Sequence, residues 1–111
     1  MALASKKQKQ EVEKWFSNLR NEICTSFENI ENSQTSGPFC DLPPGRFELT
    51  NTSRDEGNGG GGLMSVMRGG RVFEKVGVNI STVYGNLNPL MQKSMASRKE
   101  MSGIEDNPIF W

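Results

Sequence analysis

Residues 54–81 read "RDEGNGGGGLMSVMRGGRVFEKVGVNIS", and the fold turns on how this stretch is read. Leu63 to Met67 and Arg71 to Phe73 flank Gly69-Gly70, a two-residue hairpin turn. Val76, Val78 and Ile80 alternate with Gly77, Asn79 and Ser81, so one strand face is apolar. The spacing predicts a β-hairpin over 63–84. A strict two-residue turn would set Arg68 opposite Arg71, which like charges disfavour, so the loop is expected to be longer. Arg68 and Arg71 are then expected to flank that turn in water, and only one of Glu74 and Lys75 can be buried. Gly59 to Gly62 run directly into the first strand. Glycine costs conformational entropy and packs nothing, so its place beside the best strands needs a reason.

Upstream, residues 6–31 predict one amphipathic helix. Val12, Trp15, Phe16, Leu19, Ile23, Phe27 and Ile30 recur at spacings of three and four. Ser5 with Gln8 fits a capping box at its start. The stripe Trp15, Leu19, Ile23 and Phe27 is expected to pack on one face of the hairpin, with Cys24 a buried free thiol. Residues 32–62 read as a long loop containing a short strand at "RFELT". Downstream, a short helix is expected over about 88–98, with Pro89 at its first position and Leu90, Met91 and Met95 buried. A tail at 99–111 ends on Phe110 and Trp111.

These elements give an α+β fold: an N-terminal amphipathic helix packed on an antiparallel hairpin or meander. One helix and one hairpin make a thin core. The 111 residues therefore read as a single incomplete domain, a piece of a larger antiparallel sheet flanked by helices.

Composition excludes several function classes. The chain has no histidine, which removes a Ser-His-Asp or Cys-His machine and the commonest transition-metal ligand. Cys24 and Cys40 form no CxxC pair. Thirteen basic residues balance thirteen acidic ones, so no global charge favours nucleic acid or an anionic membrane. No apolar run approaches the ~20 residues of a spanning helix. "MALASKKQKQ" has no h-region, and a cytoplasmic protein is expected.

The glycine run, "RVFEKVGV" at 71–78, Ile80-Ser81, the V-x-G of 83–85 and "EDNPIFW" at 105–111 together carry a resemblance. The chain resembles the oxygen-dependent coproporphyrinogen III oxidase family, most closely its alphaproteobacterial members, over roughly 10–111. The resemblance implies a cytoplasmic or organellar homodimer about three times longer than this chain, with a large antiparallel sheet flanked by helices. It implies conversion of two propionates of coproporphyrinogen III to vinyls, giving protoporphyrinogen IX, with O2 as co-substrate and no organic cofactor. This chain would be the N-terminal part. The family's histidine and further substrate-contacting motifs would lie beyond the point matching Trp111, leaving this piece inactive alone. Tyr84 stands where the family usually has histidine, and Thr52 where it usually has tryptophan.

The resemblance also implies candidate substrate contacts. Arg54 can pair bidentately with a propionate. Gly59, Gly60, Gly61 and Gly62 could form a lid or loop whose backbone approaches a planar ligand, against the alternative of a flexible linker. Ser81 completes the set; no catalytic or metal-binding residue is assigned. Two other readings stay open: a small interaction module built on the Gly-rich loop, and a non-catalytic remnant.

Overall fold

The computed structural model describes residues 4–54, 59–96 and 109–111. Helix α1 spans Lys6–Ser33 and is followed by strand β1, Glu48–Ser53. Strands β2 (Gly59–Arg68) and β3 (Lys75–Asn86), helix α2 (Pro89–Ala96) and a two-residue strand β4 (Ile109–Phe110) follow. The four strands form one antiparallel sheet in the order β1-β2-β3-β4.

Helix α1 starts where the sequence predicts. The Ser5 hydroxyl accepts from the Gln8 N–H, and the Gln8 side chain accepts from the Ser5 N–H, so two orphan donors are satisfied reciprocally. Its C-terminal half is the anchored half. The Phe27 ring meets Phe73 at 4.8 Å and Phe47 at 6.3 Å, both edge-on. Leu19 and Ile23 are half-buried and Cys24 is buried, but Trp15 is 60% exposed and Phe16 48% exposed. The expected stripe therefore docks from Leu19 onward and not at Trp15, because the earlier turns face β3 across an open groove.

The register sets the faces. Ile80 pairs with Leu63, Val78 with Ser65 and Val76 with Met67. Directly opposed residues share a face. This face meets α1: Arg20 donates to the Ser65 hydroxyl at 3.0 Å, and Ser65 and Met67 are fully buried. Gly77, Asn79, Ser81 and Val83 point the other way and are exposed.

The interaction that closes the fold is the Glu31 carboxylate, which is fully buried. One oxygen accepts from the Gly45 N–H (2.7 Å) and the Arg71 N–H (2.6 Å). The other accepts from the Val72 N–H (2.6 Å) and the Phe73 N–H (3.0 Å). Burial alone pushes this carboxyl up, but four backbone donors outweigh it and hold it down at about 2, from an ordinary 4.5. Only glycine fits at positions 45 and 70 beside it. A Cβ on Gly70 would come within 2.3 Å of Glu31 Oε1, and one on Gly45 within 2.6 Å of Met67 Sδ.

The turn between β2 and β3 is longer than two residues, as expected, although the register still sets two like charges, Arg68 and Lys75, opposite each other. It runs from Gly69 to Glu74 and is closed by Gly69 N–H to Glu74 O (2.8 Å) and Gly70 N–H to Phe73 O (3.0 Å). Arg71 does not flank it in water. It is half-buried and donates from Nε to Leu42 O and from its guanidinium to Gln34 O (3.2 Å). The reason is that Glu31 draws the whole turn onto the helix end.

Two further expectations change. Helix α2 leaves Leu90 77% exposed and Met91 42% exposed, because no described element covers that side; Met95 is half-buried. Residues 97–108, the end of the expected helix and most of the expected tail, lie outside the described residues, and Ile109–Phe110 pairs with Gly85 and Asn86 as sheet.

Glu31→Gln keeps the shape but removes the charge and turns one acceptor into a donor. It should destabilise the chain by about 3 kcal/mol or more, read from urea unfolding followed by circular dichroism. An unchanged midpoint would show that the carboxylate is not what holds the turn. The same group gives a pH signature. Its folded pKa is depressed, so its contribution is complete above 4.5 and is lost as pH falls toward 2. Wild type should lose about 3 kcal/mol across that window, at about 1.4 kcal/mol per pKa unit, and Glu31→Gln should lose measurably less.

Candidate functional site

The glycine run is strand, not loop or lid. Gly59 to Gly62 open β2, and the last two are paired on both sides: Gly61 lies between Ser53 and Thr82, and Gly62 between Thr52 and Ser81. Sterics explain the run. Gly60 has φ 107°, a region L side chains rarely adopt, and a Cβ there would lie 2.1 Å from Thr82 O. A Cβ on Gly61 would lie 2.1 Å from Thr52 O, and one on Gly62 2.1 Å from Ile80 O. All three obstacles are backbone, so none can swing aside. Gly59 lies under the Tyr84 ring, which a Cβ would strike at 2.1 Å. The flexible-linker alternative fails for the same reason, because residues 59–62 are held in the ladder. Gly57, just upstream, lies outside the described residues.

The fold brings the candidate residues together at one end of the sheet. Arg54 directly follows β1, and its N–H donates to Gly60 O at 3.0 Å. Ser81 is exposed on β3 opposite Gly62. Thr52 and Ser81 therefore flank Gly62 on the same row. The Arg54 side chain is exposed, and its guanidinium lies 5.8 Å from the centroid of the Phe110 ring on β4. Counting along the register, Arg54, Gly60, Gly62, Ser81, Val83, Gly85 and Phe110 all belong to the face turned away from α1. Sequence reasoning missed Phe110 as a site residue and placed it in a tail. Its signal was the paired aromatics at 110–111, adjacent residues that a strand must send to opposite faces.

Trp111 goes to the helix side, where the Lys9 ammonium lies 5.5 Å from its ring. There an open groove of about 660 Å³ runs between α1 and β3, lined by Val12, Phe16, Ile80, Thr82 and Trp111 among others. It lies along the β3 edge beyond the two residues that β4 pairs. Its lining includes Ser81 but not Arg54 or the glycines.

Among the described residues no group of three or more His, Cys, Asp or Glu is placed to hold a metal ion. No described helix is long and apolar enough to cross a membrane. Both cysteines are free.

Comparison with known proteins agrees with the resemblance carried by the sequence. The family described as coproporphyrinogen III oxidase matches residues 11–108. An oxygen-dependent coproporphyrinogen-III oxidase of Rickettsia bellii (strain RML369-C) is 46% identical over 101 residues, 91% of this chain and 32% of the relative. The protein of the same description from Rickettsia rickettsii (strain Sheila Smith) is 47% identical over 99 residues, 87% of this chain and 31% of the relative. The chain thus spans about a third of the length of the curated relatives it matches. No solved structure matches it.

Gly60→Val and Gly61→Val should each lower stability by several kcal/mol, since a valine must push a neighbouring strand away or take up a forbidden φ. Thermal unfolding followed by circular dichroism reads this directly. A melting temperature equal to wild type for both variants would mean that the run is not packed between β1 and β3.

Proposed function

Since the chain belongs to the coproporphyrinogen III oxidase family, we propose that it supplies one wall of the substrate site of an oxygen-dependent coproporphyrinogen III oxidase and does not turn over substrate alone. The observation that carries this reading is the extent of the match: nearly the whole chain aligns, but with only about a third of each relative. In the proposed reaction two propionates of coproporphyrinogen III become vinyls. Each loses carbon dioxide, one proton and two electrons, and one O2 per propionate takes up two electrons and two protons and leaves as hydrogen peroxide. No organic cofactor is used.

This chain's share is binding. Arg54 offers a guanidinium to a carboxylate, a charge-assisted and potentially bidentate contact. The backbone of Gly60 and Gly62, bare of side chains, permits close approach by a flat macrocycle. The Ser81 hydroxyl adds a donor on the same face. The remaining chemistry belongs to the rest of the enzyme, of which this chain would be the N-terminal part. The chain itself contains no histidine. The partners in this reading are the remaining part of the same fold and a second copy of the complete enzyme, in the cytoplasm, with no nucleic-acid or membrane partner.

The test has two arms. The purified chain, given coproporphyrinogen III and O2, should form no protoporphyrinogen, read as porphyrin fluorescence after oxidation. A chimera in which residues 11–108 replace the matching third of the Rickettsia bellii protein should form it. Turnover by the chain alone overturns the claim of inactivity. A folded chimera without turnover overturns the claim that this chain is a working wall of the site.

A further inference from the structure

The two faces of the sheet differ in kind. One is covered by α1 and carries the buried Ser65 and Met67. The other carries a diagonal strip of two glycines, Gly60 on β2, paired with Val83, and Gly85 two residues further along β3, with Ser81 opposite Gly62 beside it. At the two ends of that strip stand Arg54, after β1, and Phe110, on β4. These strands are the two edges of the described sheet, yet the guanidinium reaches to 5.8 Å from the ring centroid. The contact crosses β2 and β3, and no side chain at Gly60 or Gly85 stands in its path. The two glycines therefore do two things at once: Gly60 lets β2 and β3 close up, and the diagonal from Gly60 to Gly85, beside Val83, leaves a lane in which Arg54 extends over the sheet.

We propose that Arg54, held over Phe110 across this lane, is the receptor for one carboxylate of a flat tetrapyrrole that lies on the helix-free face, and that Phe110 is the positioning residue for the guanidinium. The inference rests on the reading of this chain as a wall of the coproporphyrinogen site, and adds which face is used and what aims the arginine. A guanidinium over an aromatic face keeps its N–H donors directed outward in its own plane, so the stacked state remains open to a carboxylate. The cation–π contact at the half-buried Phe110 ring is weaker than a bidentate ion pair, so a carboxylate can recruit the group without a large penalty. The surroundings suit a macrocycle: Val83 and Phe110 offer apolar contact, the glycines offer flat backbone, and Ser81 offers a hydroxyl. Among the described residues Arg54 is the one cation at this end of the helix-free face, which suits a carboxylate at the rim of an apolar plane and not a polyanion.

The experiment uses the full 111-residue chain and coproporphyrin III, the stable oxidised tetracarboxylate, with binding followed by porphyrin fluorescence. Wild type should bind saturably. Arg54→Gln should weaken binding about tenfold, and Arg54→Lys by less, since a point charge remains. Phe110→Leu should weaken it about threefold, and Phe110→Tyr, which keeps the ring, should restore wild-type affinity. A merely structural role for Phe110 would lower the melting temperature of Phe110→Leu without this pattern. Coproporphyrin tetramethyl ester should bind equally to wild type and Arg54→Gln. The proposal is overturned if wild type shows no saturable binding, if Arg54→Gln binds as wild type does, or if the ester retains the dependence on Arg54. Failure of the chimera to turn over, with Arg54-dependent binding intact, would strike the proposed function and leave this inference standing.

Discussion

Everything in the described structure is arranged around one buried carboxylate. Glu31 sits near the C-terminal end of α1, where the helix dipole disfavours a negative charge. It is tolerated because four backbone N–H groups from two separate segments converge on it. This single group therefore ties the helix end to the approach to β1 and to the turn between β2 and β3. Gly45 and Gly70 are consequences of it, since neither position can hold a Cβ beside the carboxylate and Met67. So is the buried course of Arg71, whose guanidinium is drawn back to Gln34 and Leu42 with the turn it belongs to.

The neighbouring polar contacts work on the same joint. Glu28 accepts from the Phe47 N–H at 3.0 Å, and Asn32 accepts from the Arg46 guanidinium at 2.6 Å. With the three-ring cluster of Phe27, Phe47 and Phe73, the last two turns of α1 form the rigid end of the molecule. The first turns are different. Val12, Trp15 and Phe16 remain substantially exposed beside the groove, and the described structure is elongated, with a radius of gyration of 19.5 Å. A compact domain of about 100 residues has about 13 Å. Stability is thus concentrated at one end of the sheet and the candidate site stands at the other, a division that separates what holds the fold from what would touch a ligand.

The same rule of close approach explains both ends. At Gly45 and Gly70 the missing side chain admits a carboxylate; at Gly60, Gly61 and Gly62 it admits neighbouring backbone. A site built on strands held this tightly is preorganised, since its floor cannot shift without breaking the ladder. That rigidity is the opposite of a lid, and it leaves the exposed Arg54 side chain as the adaptable element.

The sequence by itself determined the family, helix α1, the centre of the β2–β3 hairpin and helix α2. The apolar spacing of α1, its Ser5–Gln8 cap and the alternation along β3 are all local, and local patterns are legible because each depends on residues a few positions apart. Only the tertiary structure decided what the glycines are for. A glycine run has no pattern of its own, and its role as strand appears only when Thr52, Ile80 and Thr82 are seen to fill the space a Cβ would need. Glu31 was hidden for a related reason. It stands four residues after Phe27, on the apolar stripe, where a lone acid is the visible signal; but its partners are 14 to 42 residues away. Phe110 likewise joined Arg54 only through the pairing of β4 with β3. Contacts that reach across the sheet are set by register, and register is a property of the assembled strands, not of any one segment.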